Sequence, residues 1–170
     1  MRITIVFDVE TNGLPKNYKA SPMDTNNWPR VIQLAWCVYA DGIEMKSDNY
    51  IIKPAGWTIP SEIEDLTGIT NEEAEATGVP IKEAIEAFLS DINQCDEMVA
   101  HNIGFDFPIV ACEMIRLSLR AERRPEKICT MQSTVDFVKI PRRGGYKWPK
   151  LQELHNKLFG ESFDNAHNAL

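Results

Sequence analysis

Asp8 and Glu10 stand two residues apart at the end of an apolar run, Ile3 to Phe7, and just before the turn-forming pair Asn12-Gly13. The run is rich in β-formers, so residues 2–10 are expected to form a strand buried on both faces. Side chains on a strand alternate, which puts Asp8 and Glu10 on one face and Val9 on the other. Two carboxylates held that close in a partly dry setting repel each other, and one stays protonated unless a cation is supplied. For oxygen-only ligands the fitting cation is Mg²⁺ or Mn²⁺. The plain alternative is an ordinary strand end, and a second acidic site in a similar context weighs against it.

That second site is His101-Asn102-Ile103-Gly104-Phe105-Asp106-Phe107-Pro108. Proline is tolerated near a helix start, so Asp106 is placed at or close to the positive end of a helix, as a cap or as a ligand. The third is His167, within Asn165-Ala166-His167-Asn168-Ala169-Leu170. A histidine there can take a proton from a metal-bound water near neutral pH, or can simply be structural.

The elements that must position these residues follow from periodicity. Pro15 to Pro29 reads as an exposed loop, rich in Asn, Pro, Ser and Asp. Val31–Ala40, the Asp41-Gly42 turn and a run ending at Tyr50-Ile51-Ile52 complete an antiparallel meander with the first strand. A short helix within Pro60–Thr70 should stop at Gly68. From Pro80, a stripe of Ile81, Ala84, Ile85, Phe88, Leu89 and Ile92 marks a helix with Lys82, Glu83, Glu86 and Asp91 facing out. Glu97–Ala100 is a short strand. The helix after it is mostly apolar, with Glu113, Arg116 and Arg120 along one side. Lys127–Met131 fits a fifth strand, and Leu151, Leu154 and Leu158 mark a helix stopped at Gly160. Phe163–Leu170 reads as the start of a helix.

With 170 residues, 44% of them hydrophobic, the chain suits one domain spanning 1–170. No apolar run reaches bilayer length and no signal pattern is present, so no membrane partner and a cytoplasmic location are expected. Cys37, Cys95, Cys112 and Cys129 form no C-x-x-C pair and suit packing, and three histidines do not indicate zinc. The net charge is -7, but it is unevenly spread. Residues 139–150 hold Lys139, Arg142, Arg143, Lys147 and Lys150 without an acid, a flexible basic loop able to meet phosphates.

Taken in order, Asp-x-Glu-Thr-x-Gly-Leu, His-Asn-x-x-Phe-Asp and Ala-His-x-Ala resemble the three motifs of the DnaQ-like 3′-to-5′ exonucleases, in the histidine-containing branch of the DEDD family. The resemblance spans essentially the whole chain. It implies an α/β, ribonuclease-H-like fold: a mixed five-stranded sheet, its first three strands antiparallel, with helices on both faces. By the same resemblance Asp8, Glu10 and Asp106 are metal ligands and His167 is the general base. Thr11, Asn12, Gly13 and Leu14 would hold the 3′-terminal nucleotide, with Ile69, His101, Asn102 and Phe105 also toward substrate. Two Mg²⁺ or Mn²⁺ ions are implied. The family's fourth carboxylate would lie beyond Leu170, which leaves the second ion weakly held and the last helix cut short. The implied partners are a single-stranded or frayed 3′ end and a DNA polymerase subunit. His155 matches no motif and is expected to be structural. Two other readings stand beside this one: a binding or polymerase-associated module that keeps the fold without catalysis, and a phosphohydrolase of small nucleotides.

Overall fold

A computed structural model describes residues 1–161 and 163. The N-terminal run forms β1 (Ile3–Thr11), followed by β2 (Val31–Ala40) and β3 (Ile43–Ile51). Next come α1 (Ser61–Thr67), α2 (Asn71–Thr77), α3 (Ile81–Ile92), β4 (Glu97–Ala100) and α4 (Ile103–Arg116). The chain continues through β5 (Glu126–Cys129), α5 (Thr130–Ser133), α6 (Val135–Val138), β6 (Pro141–Arg142), β7 (Gly145–Tyr146) and α7 (Leu151–Phe159). The main sheet has the order β3-β2-β1-β4-β5, antiparallel from β3 to β1 and parallel from β1 to β5. This is the expected α/β architecture with its antiparallel meander.

β1 is not buried on both faces. Ile5, Phe7, Val9 and Thr11 point into the core, whereas Val6 on the other face is 39% exposed. A short apolar run alone does not distinguish these cases, because Val6 is as apolar as its neighbours. The inward side chains meet α3 and α4 in one cluster centred on Phe7, Trp36, Ile85, Phe88, Met98 and Val110. Phe88 lies 5.4 Å from Phe7 and 5.3 Å from Trp36, ring centroid to centroid. Burial of each such aliphatic or aromatic side chain contributes roughly 1.5–3 kcal/mol. A smaller cluster joins Ile32, Ile59, Ile69 and Ala74, and so seats α1 and α2.

Several elements depart from expectation. Asp91 does not face out: its carboxylate accepts from the Trp36 indole and the Lys46 ammonium, both at 2.7 Å. An indole N–H and an ammonium nearby make an inward carboxylate tolerable where the helical stripe alone forbids it. Arg120 lies past the end of α4, and the fifth strand stops at Cys129, with Met131 already in α5. The Pro15–Pro29 loop is anchored at its far end by the buried Asn27 and Trp28. The basic stretch is a hairpin, in which Pro141 pairs with Tyr146 and Arg142 with Gly145. Gly144 supplies the left-handed backbone that its two-residue turn requires (φ 83°). In α7 only Leu154 is buried, and Leu151 and Leu158 are exposed.

The short helix does end at Gly68, which takes the left-handed conformation at φ 76°. All four cysteines are free, and His155 is packed against Phe159 and Phe163, as expected. Phe163–Leu170, which the sequence reads as the start of a last helix, lies outside the described residues except for Phe163. Among the described residues, no helix is long and apolar enough to cross a membrane.

Candidate active site

β1 outruns its parallel neighbour. It pairs with β4 only over Thr4–Val6, so Phe7 to Thr11 extend beyond that ladder. Ligand sites in open α/β sheets sit at such carboxyl ends, where the connections leave in opposite directions. The chain from β4 turns at once into α4 through Asn102, whose backbone is left-handed (φ 76°). That turn brings the first turns of α4 against the overhang. The Val9 amide, left without a β4 partner, donates to Asp106 Oδ1 at 3.4 Å. The amide between Asp8 and Glu10 therefore holds the third carboxylate of the set.

Pro108 falls in the second turn of α4, not the first. Its missing N–H costs the Gly104 carbonyl an intrahelical partner, and Gly104 is exposed, so water can serve it.

Crowding and burial perturb all three carboxyl groups. Burial pushes Asp8 up to about 6, an effect reduced by a hydrogen bond shared with Asp106. Glu10 is pushed up to about 8, first by burial and then by repulsion from Asp8. Asp106 is only 2% exposed. Burial, followed by the charge of Asp8, raises it well above the ordinary carboxylate range, against the pull of the Val9 amide. Without a cation the cluster holds protons at neutral pH, which is the behaviour of a carboxylate set short of positive charge. Among the described residues, no three acidic, histidine or cysteine side chains close around one ion position by themselves.

The turn after Glu10 is fixed from two sides. Thr11 is buried, and its hydroxyl donates to the Gly13 carbonyl at 2.7 Å. Asn12 and Arg30 are doubly joined: the Asn12 amide donates to the Arg30 carbonyl, and the Arg30 amide donates to Asn12 Oδ1 at 2.8 Å. Arg30 in turn reaches Glu113 of α4, Nε to Oε1 at 2.7 Å. Glu113 is 1% exposed and also receives Arg116 at 2.8 Å, while Arg116 donates to the carbonyls of Thr25, Trp28 and Pro29. This buried clamp was not assigned any role from sequence. The only available signal was a glutamate three residues before an arginine on an otherwise apolar helix.

The other expected site residues divide. Leu14 is 72% exposed beside the turn, free to meet a ligand. Asn102 has no side-chain hydrogen bond among the described residues and stands at the entrance to α4. Phe105 is half-buried one residue before Asp106, with Tyr18 6.4 Å away. Ile69 is buried in the smaller cluster and offers little surface. His101 does not have a free ring nitrogen. Nε2 lies 3.1 Å from the Pro149 carbonyl and Nδ1 lies 3.0 Å from the Thr130 hydroxyl. A carbonyl can only accept, so Nε2 donates and Nδ1 of the neutral ring accepts. Burial lowers this imidazole, which favours that neutral form. His101 is therefore a strap to the base of the β6–β7 hairpin. His167 lies outside the described residues.

Comparison with known proteins decides the family. A family model described as an exonuclease, RNase T, matches residues 5–170. The chain belongs to this exonuclease family. Among curated proteins, the 3′-5′ exonuclease DinG of Bacillus subtilis (strain 168) is 31% identical over 154 residues, covering 88% of this chain and 14% of that protein. Among solved structures, E. coli exonuclease I in complex with a dT13 oligonucleotide superposes with a TM-score of 0.75 at 19% identity, covering 99% of this chain and 38% of that one. The same enzyme with a dA16 oligonucleotide gives 0.75 at 18% identity, covering 100% and 38%. The chain thus spans well under half the length of these relatives. The superpositions establish that this exonuclease domain shares the fold of exonuclease I.

Proposed function

We propose that this domain is a metal-dependent 3′-to-5′ exonuclease acting on single-stranded or frayed 3′ ends, DNA foremost. The observation that carries the reading is the trio Asp8, Glu10 and Asp106, gathered at the end of β1 with carboxyl groups that burial and mutual repulsion hold partly protonated. Its donors are hard oxygens only, which suits Mg²⁺ or Mn²⁺. When bound, such ions, in a pair, would lower the pKa of water and stabilise charge on the phosphate oxygens. The family membership and the oligonucleotides bound by exonuclease I support this choice of substrate.

The chain's own residues then have distinct tasks. Asp8, Glu10 and Asp106 would hold the cations. The turn Thr11–Leu14 receives the 3′-terminal nucleotide, with Asn102 and Phe105 beside it. Its backbone is braced by Arg30 and Glu113, so the pocket ends at a fixed wall and admits a terminus in preference to a continuing strand. Hydrolysis adds a water oxygen to the last phosphorus and breaks the P–O3′ bond, releasing a 5′-nucleotide and leaving a 3′-oxygen on the shortened strand that takes a proton from solvent. His167 takes the water's proton.

Incubation of the protein with 5′-end-labelled single-stranded DNA or RNA and Mg²⁺ or Mn²⁺ tests this directly. A ladder receding from the 3′ end, abolished by a chelator, is expected. Internal cuts, or intact strands with either metal, would overturn the reading. The basic hairpin makes a separate prediction, because Arg142 and Arg143 are exposed and have no ion partner among the described residues. Arg142→Ala/Arg143→Ala should weaken single-strand binding and reduce its log–log salt slope by about one to two, leaving turnover at saturation nearly unchanged. An unaltered slope would assign the hairpin to solvent.

A further inference from the structure

The β6–β7 hairpin carries more than charge. Tyr146 and Trp148 are 44% and 60% exposed, whereas Trp28 and Trp36 are 3% and 1% exposed and Trp57 is half-buried. Tyr146 is the last residue of β7, and Trp148 follows it two residues on, in a stretch that is not helical. Tyr146 pairs with Pro141, the Lys147 amide donates to the Ile140 carbonyl at 3.0 Å, and Trp148 precedes Pro149, which disfavours a helical backbone there. Residues two apart on an extended chain share a face, at about 6.6 Å separation. That spacing is about twice the 3.4 Å rise between successive nucleotides, which leaves room for one base between the two rings. Lys147, between them, is tied to Glu153 at 2.6 Å.

Around the two rings, Lys139, Arg142 and Arg143 have no ion partner among the described residues. Cations without partners beside exposed aromatic faces match one kind of ligand, a polyanion that also presents flat π surfaces. A protein partner would satisfy the apolar area but not the run of positive charge, and a duplex hides its base faces. The hairpin is also fixed relative to the acidic site, because the carbonyl of Pro149, next to Trp148, accepts from His101, which immediately precedes Asn102.

We propose that Tyr146 and Trp148 form a stacking platform for an unpaired base of the substrate strand, upstream of the terminal nucleotide, held at a set distance from the carboxylates by the His101–Pro149 bond. The site makes the enzyme select single strands by their exposed base faces, in addition to their charge. This inference rests on the exonuclease reading for its substrate, but its test is a binding measurement that does not need hydrolysis.

Trp148 is the most exposed of the four tryptophans, so quenching of tryptophan emission reports on it. Oligothymidylate added to the protein in a chelator should quench that emission. An abasic strand of equal length and charge should quench little and bind roughly tenfold more weakly, the scale of one stacked base. Trp148→Leu should lose the quench and raise KM on single-stranded DNA about tenfold with kcat unchanged, and Trp148→Phe should restore KM. Equal affinity for the abasic and oligothymidylate strands, or an unchanged KM in Trp148→Leu, would overturn the platform. Quenching by oligothymidylate without any 3′ ladder in metal would sustain the platform and reject the exonuclease reading.

Discussion

Asp106→Asn should cut hydrolysis by at least about a hundredfold, the scale of losing one electrostatic stabiliser from an active site, while making the metal-free protein more stable. Asparagine keeps the shape of Asp106 and can still accept from the Val9 amide, so the architecture is preserved. What it removes is charge from a set of carboxylates that repel one another. The pH dependence has a defined sign. Asp8 moves from 3.8 to about 6 and Glu10 from 4.5 to about 8, so the folded state holds protons that the unfolded chain releases. Stability of the metal-free protein should therefore fall as pH rises from about 4 to about 8 and level off above. Asp106→Asn should flatten that decline, and Mg²⁺ or Mn²⁺ should offset it in the parent, since a divalent ion binds the deprotonated form. Thermal melts across this range, with and without a chelator, together with single-turnover rates, decide the matter. Near-parental turnover in the variant, or a metal-free melting temperature that climbs with pH, would remove Asp106 from the site.

The second large effect is structural. Glu113→Ala strands Arg30 and Arg116 around a buried void, and breaking a buried ion cluster from one side costs about 3–5 kcal/mol. In a domain of this size the melting temperature should drop by roughly 10 °C or more. Because Arg30 braces Asn12 and Arg116 holds three loop carbonyls, the turn Thr11–Leu14 should loosen as well, and KM for the strand should rise more than kcat falls. Glu113→Leu/Arg116→Met, which removes charge from both sides, should recover part of the lost stability. A Glu113→Ala protein that melts like its parent would show the clamp to be idle.

Sequence alone reached the acidic pair because alternation along a strand is strictly two-fold, so Asp8 and Glu10 had to share a face wherever β1 lay. It reached α3 by its apolar stripe and the end of α1 by its glycine. Where it failed, the deciding contact came from elsewhere in the chain. Asp91 reads as outward on its own helix, and only Trp36 and Lys46, on β2 and β3, explain why it turns in. α2 contains three glutamates and one buried residue, Ala74, too little pattern to register. His101 sits within a motif that implies substrate contact, yet both of its nitrogens are taken by Thr130 and Pro149, neither of which is near it in sequence.

The parallel pairing of β1 with β4 has a consequence for how the molecule reaches its native state. β2 and β3 are joined by a tight turn and β1 reaches β2 through the loop over 12–30, so the meander closes over much shorter separations than the site does and can form first. The bonds that complete the site, Thr4 to Glu97 and Val9 to Asp106, join residues 93 and 97 positions apart. Closing such long loops is slow compared with forming hairpins. On a ribosome, the meander must wait with Phe7, Trp36 and Leu34 uncovered until α3, β4 and α4 have emerged. Catalytic competence should therefore be the last property to return on refolding, trailing the bulk of the secondary structure, and the waiting meander is the species most prone to aggregate.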